Sequence, residues 1–239
     1  MNAGLVIIPT YNEIENIAQI IEAVLQLPDC FHVLVVDDNS PDGTAAVVEE
    51  LQKQQAGVHL LKREEKSGLG TAYVAGFKWA LARDYSYIFE MDADFSHNPT
   101  DLSRLLASCK EHGGMVIGSR YVTGVNVVNW PLNRVLLSYG ASIYVRWITR
   151  MPIQDTTAGF VCYTKEVLQR IDLDRIRFVG YAFQIEMKYR VYVKQFPITE
   201  VPIIFTDRTR GESKMSKGII KEAIFGVINL KIRKLLNKL

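Results

Sequence analysis

Two pairs of closely spaced carboxylates are the clearest candidates for chemistry in this sequence. Asp37 and Asp38 are adjacent, Asp92 and Asp94 flank Ala93, and each pair follows an apolar run. Acidic residues at positions i and i+2 can converge where the chain turns, and carboxylate oxygens suit Mg²⁺ or Mn²⁺. Because Mg²⁺ is usually held by one or two carboxylates together with waters and substrate phosphates, the second pair indicates a metal that binds a nucleotide diphosphate.

The second part of the chain supplies the positive charge. Residues 1–100 contain 15 acidic and 6 basic residues, whereas residues 101–239 contain 11 acidic and 22 basic residues. This asymmetry indicates an anionic partner for the second part. Arginine suits bidentate contact with phosphate, and lysine acts as a point charge. The basic candidates are Arg120, Arg134, Arg208, Arg210, Lys214 and Lys217. We expect the loop 207–217, which contains Gly211, to close over phosphates when ligand binds.

The elements that must position these groups alternate between β-rich runs and helical patterns. Strands are predicted at Gly4–Pro9, Val33–Val36, Val58–Leu61, Tyr85–Met91 and Met115–Gly118. Helices are predicted between them at Asn16–Leu27, Thr44–Gln54, Gly70–Arg83 and Thr100–His112. This order predicts an α/β fold with a mostly parallel sheet covered by helices on both faces. Ligands of such sheets bind beyond the carboxyl ends of the strands, where both acidic pairs occur.

The remaining residues are less regular but show no linker or repeat. They predict a loop at Tyr121–Pro131, helices at Leu132–Thr149 and Tyr181–Val193, and strands at Thr156–Tyr163 and Ile198–Phe205. We therefore expect one catalytic domain over residues 1–218, followed by a basic helix at Ile219–Leu239.

Several classes of protein are disfavoured by what the sequence lacks. The first predicted strand is not followed by the glycines of a dinucleotide-binding site, and there is no P-loop motif. The cysteines Cys30, Cys109 and Cys162 are too widely spaced for a zinc site or a disulfide framework, so a cytosolic compartment is expected. No aromatic-interleaved basic strip indicates nucleic-acid binding. No apolar run approaches the roughly 20 residues that a membrane-spanning helix needs.

Three polar residues remain open between a structural and a functional interpretation. Tyr11 could stack on a base, and Glu13 could accept a hydrogen bond from a base or sugar, or simply favour the start of a helix. Asp155 could orient sugar hydroxyls or the acceptor, or it could be a turn residue before a strand.

Six segments together resemble the dolichol-phosphate (polyprenol-phosphate) mannose synthases, which are inverting family 2 glycosyltransferases with the GT-A fold. They are PTYNE at 9–13, VVDDNSPDGT at 35–44, GLGTAYVAGF at 68–77, DADFSH at 92–97, GSRY at 118–121 and DRTRGESK at 207–214. The resemblance extends from Leu5 to about Lys217. The first, second and fourth segments are widespread among such transferases, whereas GLGTAY combined with DRxxGxSK is specific to the polyprenol-phosphate mannose branch.

The resemblance implies a GT-A fold and a role for each matching residue. The residues implied to hold the guanosine of GDP-mannose are Pro9, Tyr11, Glu13, Val36 and Asp38. Those implied to contact the nucleotide and Mg²⁺ or Mn²⁺ are Asp92, Ala93 and Asp94, with the two aspartates as metal ligands. Those implied to bind the diphosphate or the acceptor phosphate are Arg120, Arg134, Arg208 and Lys214. Asp94 and the three arginines are the implied catalytic residues. Ser96 stands where some relatives carry glutamine as an additional metal ligand.

The activity implied is transfer of mannose from GDP-mannose to a polyprenyl or dolichyl monophosphate with inversion, releasing GDP. A phosphomonoester is largely ionised near neutrality, since its second pKa is about 6, so the acceptor needs cations more than a general base. Two alternatives stay open. One is a polyprenol-phosphate glucosyltransferase that uses UDP-glucose, and the other is a nucleotide-sugar-binding module without turnover.

The C-terminal segment predicts contact with a membrane surface. Residues 216–239 contain six basic residues and one acidic residue, Glu222. Projected as a helix, they place most apolar side chains in one sector, with Glu222, Asn229 and Arg233 opposite. We expect this helix to dock on a bilayer without spanning it, on the cytoplasmic face; the alternative is packing against the domain's own core. The resemblance also leaves small membrane-anchoring subunits open as partners.

Overall fold

The structure, a computed structural model, describes residues 4–180, 182–207, 218–236 and 239, with side chains of the last helix described from Phe225 onward. The strands are β1 Gly4–Thr10, β2 Phe31–Asp37, β3 Val58–Lys62, β4 Tyr87–Glu90, β5 Met115–Ser119, β6 Val127–Val128, β7 Val161–Thr164, β8 Ile198–Pro202 and β9 Phe205–Thr206. The helices are α1 Ile17–Leu25, α2 Thr44–Gln54, α3 Leu69–Leu81, α4 Asp101–His112, α5 Leu132–Thr149, α6 Lys165–Arg170, α7 Ala182–Val193 and α8 Gly218–Leu235. Leu173–Arg175 forms a 3₁₀ turn.

The main sheet has seven strands in the order β3-β2-β1-β4-β7-β5-β8. Strands β1 to β4 are parallel, β7 is antiparallel to both β4 and β5, and β8 is parallel to β5. A separate parallel pair joins β6 to β9. The predicted α/β fold with a mostly parallel sheet is confirmed. The carboxyl ends of β1, β2 and β4 lie side by side, which brings the two acidic pairs to one edge.

Alternation along the central strands divides the core into two apolar clusters. Leu5 and Ile7 of β1 belong to one cluster, which includes residues of α3, α5, α7 and α8. Val6 and Ile8 belong to the other, which includes residues of α1, α2 and α4. Because successive side chains of a strand point to opposite faces, one buried strand supplies both layers. The sheet is therefore covered on both faces.

Four local predictions differ from the structure. The strand predicted at Thr156–Tyr163 is formed only at Val161–Thr164, because the preceding residues form a loop held by side-chain hydrogen bonds. The strand predicted at Ile198–Phe205 is interrupted after Pro202, which ends β8. The predicted loop at Tyr121–Pro131 contains the short strand β6. Helix α6 was not predicted, since its six residues are too few for a clear helical pattern.

Helix α8 lies against α5 and α7, so one side of it belongs to the domain. Val227 and Leu230 are buried in the core cluster that includes α3 and α7. Arg233, expected on the polar side of the helix, is instead buried, with a guanidinium nitrogen 3.8 Å from the Glu186 carboxylate. That expectation was wrong because a helical projection does not show which side meets the neighbouring helix. No helix in the described part of the chain is long and apolar enough to cross a membrane.

Candidate active site at the carboxyl ends of the strands

Asp37 stabilises the turn after β2 by accepting hydrogen bonds from neighbouring side chains and from the backbone. Its carboxylate accepts hydrogen bonds from the Thr10 hydroxyl at 2.8 Å and from the Ser40 hydroxyl at 2.6 Å. The Ser40 backbone N–H also donates to it at 2.9 Å. The side chain is buried, and these contacts tie the end of β1 to the end of β2. Asp37 therefore has a structural role in this turn.

Asp38 is fixed by a cation that the sequence analysis missed. The Arg63 guanidinium donates to the Asp38 carboxylate at 2.8 Å and to the Thr71 hydroxyl at 2.8 Å. Burial raises the pKa of Asp38 above its ordinary value, against the attraction of Arg63. Arg63 directly follows β3, so examining that strand end as well as the others would have identified it. The Asp38 carboxylate is thus held in place at the carboxyl end of β2.

The loop after β1 is fastened to the turn after β2. Backbone N–H groups of Glu13 and Ile14 donate to the Thr44 hydroxyl and the Asp42 carboxylate, respectively. Burial would raise the pKa of Asp42, but hydrogen bonds from Thr44 and from the Ile14 N–H hold it below its ordinary value. The Lys66 ammonium lies 3.9 Å from the centre of the Tyr11 ring, a contact that sequence reasoning also missed.

Two residues implied to contact the nucleotide have buried side chains. Val36 belongs to the core cluster that includes α3, and Ala93 belongs to the cluster that includes α1 and α4. Any contact that these residues make with a ligand is therefore limited to their backbone atoms. Pro9 is partly exposed beside them at the end of β1. The guanosine roles of Pro9 and Val36 and the nucleotide contact of Ala93 remain predictions.

The second acidic pair lies in the loop that follows β4. The Asp92 side chain is 39% exposed, and Asp94 is buried and accepts a hydrogen bond from the Ser96 N–H at 3.1 Å. The Asp92 N–H donates to His97 Nδ1 at 3.3 Å, and the His97 ring stacks on Phe160. Burial lowers the pKa of His97 to about 4, so the ring is neutral and fastens the loop.

This loop fits a divalent metal by its chemistry. Two hard carboxylates lie two residues apart, and the Ser96 hydroxyl is buried without a hydrogen-bond partner among the described residues. The described residues contain no group of three or more His, Cys, Asp or Glu side chains that could hold a metal ion by itself. Such a sparse set suits an ion whose remaining ligands are waters and substrate phosphates.

Arg120, at the end of β5, is locked in a bidentate ion pair. Its Nε and Nη2 atoms donate to the Asp155 carboxylate at 2.7 and 2.6 Å, and its backbone N–H donates to the same carboxylate at 3.0 Å. Asp155 is completely buried. Burial alone would raise the pKa of Asp155, but the Arg120 guanidinium holds it below its ordinary value. Asp155 is thus neither an exposed sugar ligand nor a simple turn residue; it orients Arg120.

Arg134 lies beside Arg120 on an aromatic support. Its guanidinium pairs with Asp207 at 2.8 Å and lies 4.1 Å from the centre of the Trp130 ring. The Arg120 guanidinium lies 5.5 Å from the same ring. Arg134 is about one-third exposed, so it is the more accessible of the two cations. The ring of Trp130, a residue that sequence reasoning missed, thus makes cation–π contacts with both guanidinium groups.

Strand β9 connects the cationic side of the site to the acidic loop. The Thr206 N–H donates to the Ser96 carbonyl at 3.2 Å, and the Phe205 ring lies edge-on to His97 at 5.3 Å. The structure therefore brings Asp92, Asp94, Arg120 and Arg134 into one region. Residues 208–217 of the predicted closing loop 207–217 lie outside the described residues. The roles of Arg208 and Lys214, which belong to this part, remain predictions.

The GLGTAY segment positions a helix. Gly68 has φ +100°, and a Cβ atom at Gly70 would lie 2.5 Å from the Phe178 carbonyl oxygen. The Gly70 N–H donates to the Val179 carbonyl at 2.8 Å. The glycines thus allow the start of α3 to touch the backbone before α7. That contact also places Thr71 against Arg63.

A mostly parallel sheet that presents an acidic pair after β4 and a cationic side after β5 defines a glycosyltransferase of the GT-A class. Residues 5–175 match the model of the family described as "Glycosyl transferase family 2", and the chain belongs to this family. The resemblance inferred from the sequence motifs is confirmed.

Two curated relatives match nearly the whole chain. The chain is 49% identical over 230 residues to a polyprenol monophosphomannose synthase of Mycolicibacterium smegmatis, covering 96% of this chain and 87% of the relative. It is 45% identical over 223 residues to an undecaprenyl-phosphate mannosyltransferase of Micrococcus luteus, covering 93% and 91%.

Solved structures share the fold at low sequence identity. A mannosyltransferase from Pyrobaculum calidifontis, in complex with GDP-Man and Mn²⁺, has a TM-score of 0.62 and 16% identity, covering 98% of this chain and 64% of that one. Glucosyl-3-phosphoglycerate synthase from Mycobacterium tuberculosis, in complex with UDP, has a TM-score of 0.64 and 15% identity, covering 98% and 80%.

Proposed function

We propose that this protein transfers mannose from GDP-mannose to a polyprenyl monophosphate with inversion at the sugar, releasing GDP. The observation that carries the proposal is that the loop with Asp92 and Asp94 after β4 and the cations Arg120 and Arg134 after β5 lie at the same edge of the sheet. The relatives named for polyprenol and undecaprenyl-phosphate mannose transfer support the choice of sugar and acceptor.

The donor nucleotide binds where β1 and β2 end. Tyr11, Glu13 and Asp38 recognise the guanosine, with Asp38 fixed by Arg63 and the Tyr11 loop fastened to the turn after β2. Asp92 and Asp94 would hold Mg²⁺ or Mn²⁺, which when bound would supply positive charge against the diphosphate of the donor. The carboxylates therefore keep the donor's diphosphate beside β4.

The acceptor phosphate approaches the cationic side. It is already ionised near neutrality, so it attacks the sugar carbon directly and needs no proton removed. Arg134, Arg208 and Lys214 offset the repulsion between the two anionic substrates, while Arg120, held by Asp155, contributes a fixed hydrogen-bond donor beside them. Direct displacement inverts the configuration, giving a β-linked product from an α-linked donor.

Donor choice tests this proposal against the glucosyl alternative. GDP-mannose and UDP-glucose, each carrying a labelled sugar, are offered in parallel with a polyprenyl phosphate and Mg²⁺ or Mn²⁺. We expect labelled lipid from GDP-mannose at least about tenfold faster than from UDP-glucose, since each unmatched polar contact to the base costs about 1–3 kcal/mol. Faster transfer from UDP-glucose would show that the protein is a glucosyltransferase. Absence of labelled lipid with either donor would favour a nucleotide-sugar-binding module without turnover.

Two helices form the surface through which we propose contact with a membrane. The exposed apolar side chains of α5 are Leu132, Leu136, Leu137, Tyr139, Ile143 and Trp147. Those of α8 and the residue after it are Phe225, Ile228, Ile232, Leu235 and Leu236. We call these side chains the α5–α8 face. Three of them are more than 70% exposed, and monomeric soluble proteins rarely expose contiguous apolar patches of large size.

The charge of this face suits anionic lipid. Helix α5 contains no acidic residue, and the groove between α5 and α8 is lined by Arg146, Arg150 and Lys231 together with apolar side chains. Basic residues near an anionic surface contribute about 1 kcal/mol each. Contact here would bring the site to the headgroup of a lipid acceptor. The three cysteines are free thiols, as is usual in a reducing compartment, which supports the cytoplasmic face of a membrane. We also propose small membrane-anchoring subunits as partners.

Polar substitution of the most exposed side chains tests this surface. We expect Trp147→Ser combined with Phe225→Ser to reduce flotation with phosphatidylglycerol liposomes by about tenfold or more, because each buried aromatic contributes about 1.5–3 kcal/mol. GDP-mannose binding and thermal stability should not change. Ile14→Ser, an exposed apolar residue outside both helices, is the matched control. Flotation equal to that of the unmodified protein would show that another surface meets the membrane.

A further inference from the structure

A chain of buried polar side chains begins directly beneath the acidic loop. Glu90, the last residue of β4, is completely buried and lies two residues before Asp92. Its carboxylate accepts a hydrogen bond from the Tyr163 hydroxyl at 2.9 Å and from Gln184 Nε2 at 2.5 Å. Strand β7 and helix α7 thus converge on the residue that starts the acidic loop.

Lys188, one turn further along α7, extends the chain to the other side of the site. Its ammonium is completely buried and donates to the Ala158 carbonyl at 2.6 Å, to the Gln184 carbonyl at 3.3 Å and to Gln184 Oε1 at 3.3 Å. These three acceptors match its three N–H donors. Because Oε1 faces the ammonium, the amide orientation of Gln184 directs Nε2 to Glu90.

The chain ends in the loop that holds Arg120. Ala158 follows Asp155 in this loop, and Glu200 of β8 fixes the loop by accepting the backbone N–H groups of Gln154 and Asp155 at 2.7 and 2.9 Å. Glu90, Gln184, Lys188 and the Ala158 carbonyl therefore connect the start of the acidic loop to the loop that orients Arg120.

Stability alone does not explain such a chain. Taking charges out of water is costly, and well-packed apolar residues in place of a buried ion pair are often neutral or stabilising. Helix α7 could pack against β4 and β7 through apolar side chains, as Phe183 and Met187 do in the same cluster. What apolar residues cannot do is fix two loops in one register through directional hydrogen bonds.

We propose that Lys188 and Gln184 are positioning residues for glycosyl transfer, which hold the Asp92–Asp94 loop and the Asp155–Arg120 pair in the spacing that the reaction needs. The inference rests on the proposed function. Both side chains are buried, and they act through Glu90 and Ala158. A displacement of about 1 Å in such a site can lower turnover by about 10²-fold.

Lys188→Met tests the proposal, with Arg190→Met as the matched control. Arg190 is a buried cation two residues further on the same helix, but it pairs with Glu186 and the Arg175 carbonyl. We expect Lys188→Met to lower kcat by about 10–100-fold, the usual effect of losing a supporting contact behind a ligand, with the KM for GDP-mannose changed less than threefold. Folded Arg190→Met should keep kcat within about threefold.

Hydrogen exchange provides a readout that does not depend on activity or on bound metal. Lys188→Met should speed exchange of amides in residues 92–97 and 155–158, and Arg190→Met should not. Unchanged kcat and unchanged exchange in folded Lys188→Met would overturn the inference. If Lys188→Met does not fold, Gln184→Leu decides by the same two measurements. If the unmodified protein transfers no mannose, the proposed function is refuted. The exchange data are independent of transfer, so they show separately whether the positioning role fails.

Discussion

Replacing Asp94 with alanine is expected to lower mannosyl transfer by about 10²–10³-fold while leaving the protein folded, because it removes charge stabilisation at the leaving diphosphate. Asp94 is buried and accepts a hydrogen bond from the Ser96 N–H within its own loop. Its loss should therefore cost about 1–3 kcal/mol of unfolding free energy, which leaves the protein folded. Initial rates with labelled GDP-mannose and thermal unfolding of the same preparation measure both effects.

The matched control for Asp94→Ala is Asp101→Asn. Asp101 begins α4 a few residues further on and pairs with Arg104. Removing its charge costs only a few tenths of a kcal/mol to about 1 kcal/mol of helix stabilisation. We expect its transfer rate to stay within about threefold of the unmodified protein. Equal rates for Asp94→Ala and Asp101→Asn would remove Asp94 from the reaction.

Breaking the Arg120–Asp155 pair is expected to damage stability and activity together, and a double variant should separate them. Arg120→Met leaves a buried carboxylate without its cation, and Asp155→Asn leaves a buried guanidinium without its anion. Each single variant should lose about 3–5 kcal/mol of unfolding free energy. The double variant removes both charges, so it should recover at least about half of that loss. Denaturant unfolding measures this cycle.

The transfer rate of these variants should depend on whether Arg120 is present and not on their unfolding free energy. We expect the stable double variant to remain at least about 100-fold slower than the unmodified protein, because it lacks the fixed Arg120 guanidinium as a hydrogen-bond donor at the site. A double variant that is both stable and fully active would show that Arg120 and Asp155 serve the fold alone. If the double variant regains no stability, neutralisation of one charge by the other does not explain the stability that the pair contributes.

The first 120 residues were the most predictable part of the fold, for a physical reason. Strands β1, β2 and β4 are buried on both faces, so they appear as continuous apolar runs, and the acids after them follow from where parallel strands end. Asp92 and Asp94 could be identified in this way before any contact was known. Sequence motifs also indicated the family, since GLGTAY and DRxxGxSK are spaced across nearly the whole chain.

Contacts across long sequence separations were not predictable. Asp155 lies 35 residues from Arg120, and neither local spacing nor hydrophobic periodicity indicates that one orients the other. Lys188 is another such case, because its place on a helix suggested no burial. The exposure of helix α5 was not predictable either. Its apolar residues have helical spacing, and only the packed structure shows that many of them face outward.

The most direct test of the central claim is the configuration of the product. Purified protein, GDP-mannose labelled at the anomeric carbon, a polyprenyl phosphate and Mg²⁺ or Mn²⁺ are combined, and the lipid fraction is analysed by the one-bond carbon–hydrogen coupling at that carbon. The account predicts a mannosyl phosphate lipid that is β-linked, formed together with GDP in equal amount. An α-linked mannosyl lipid, or GDP released with free mannose and no labelled lipid, would contradict it.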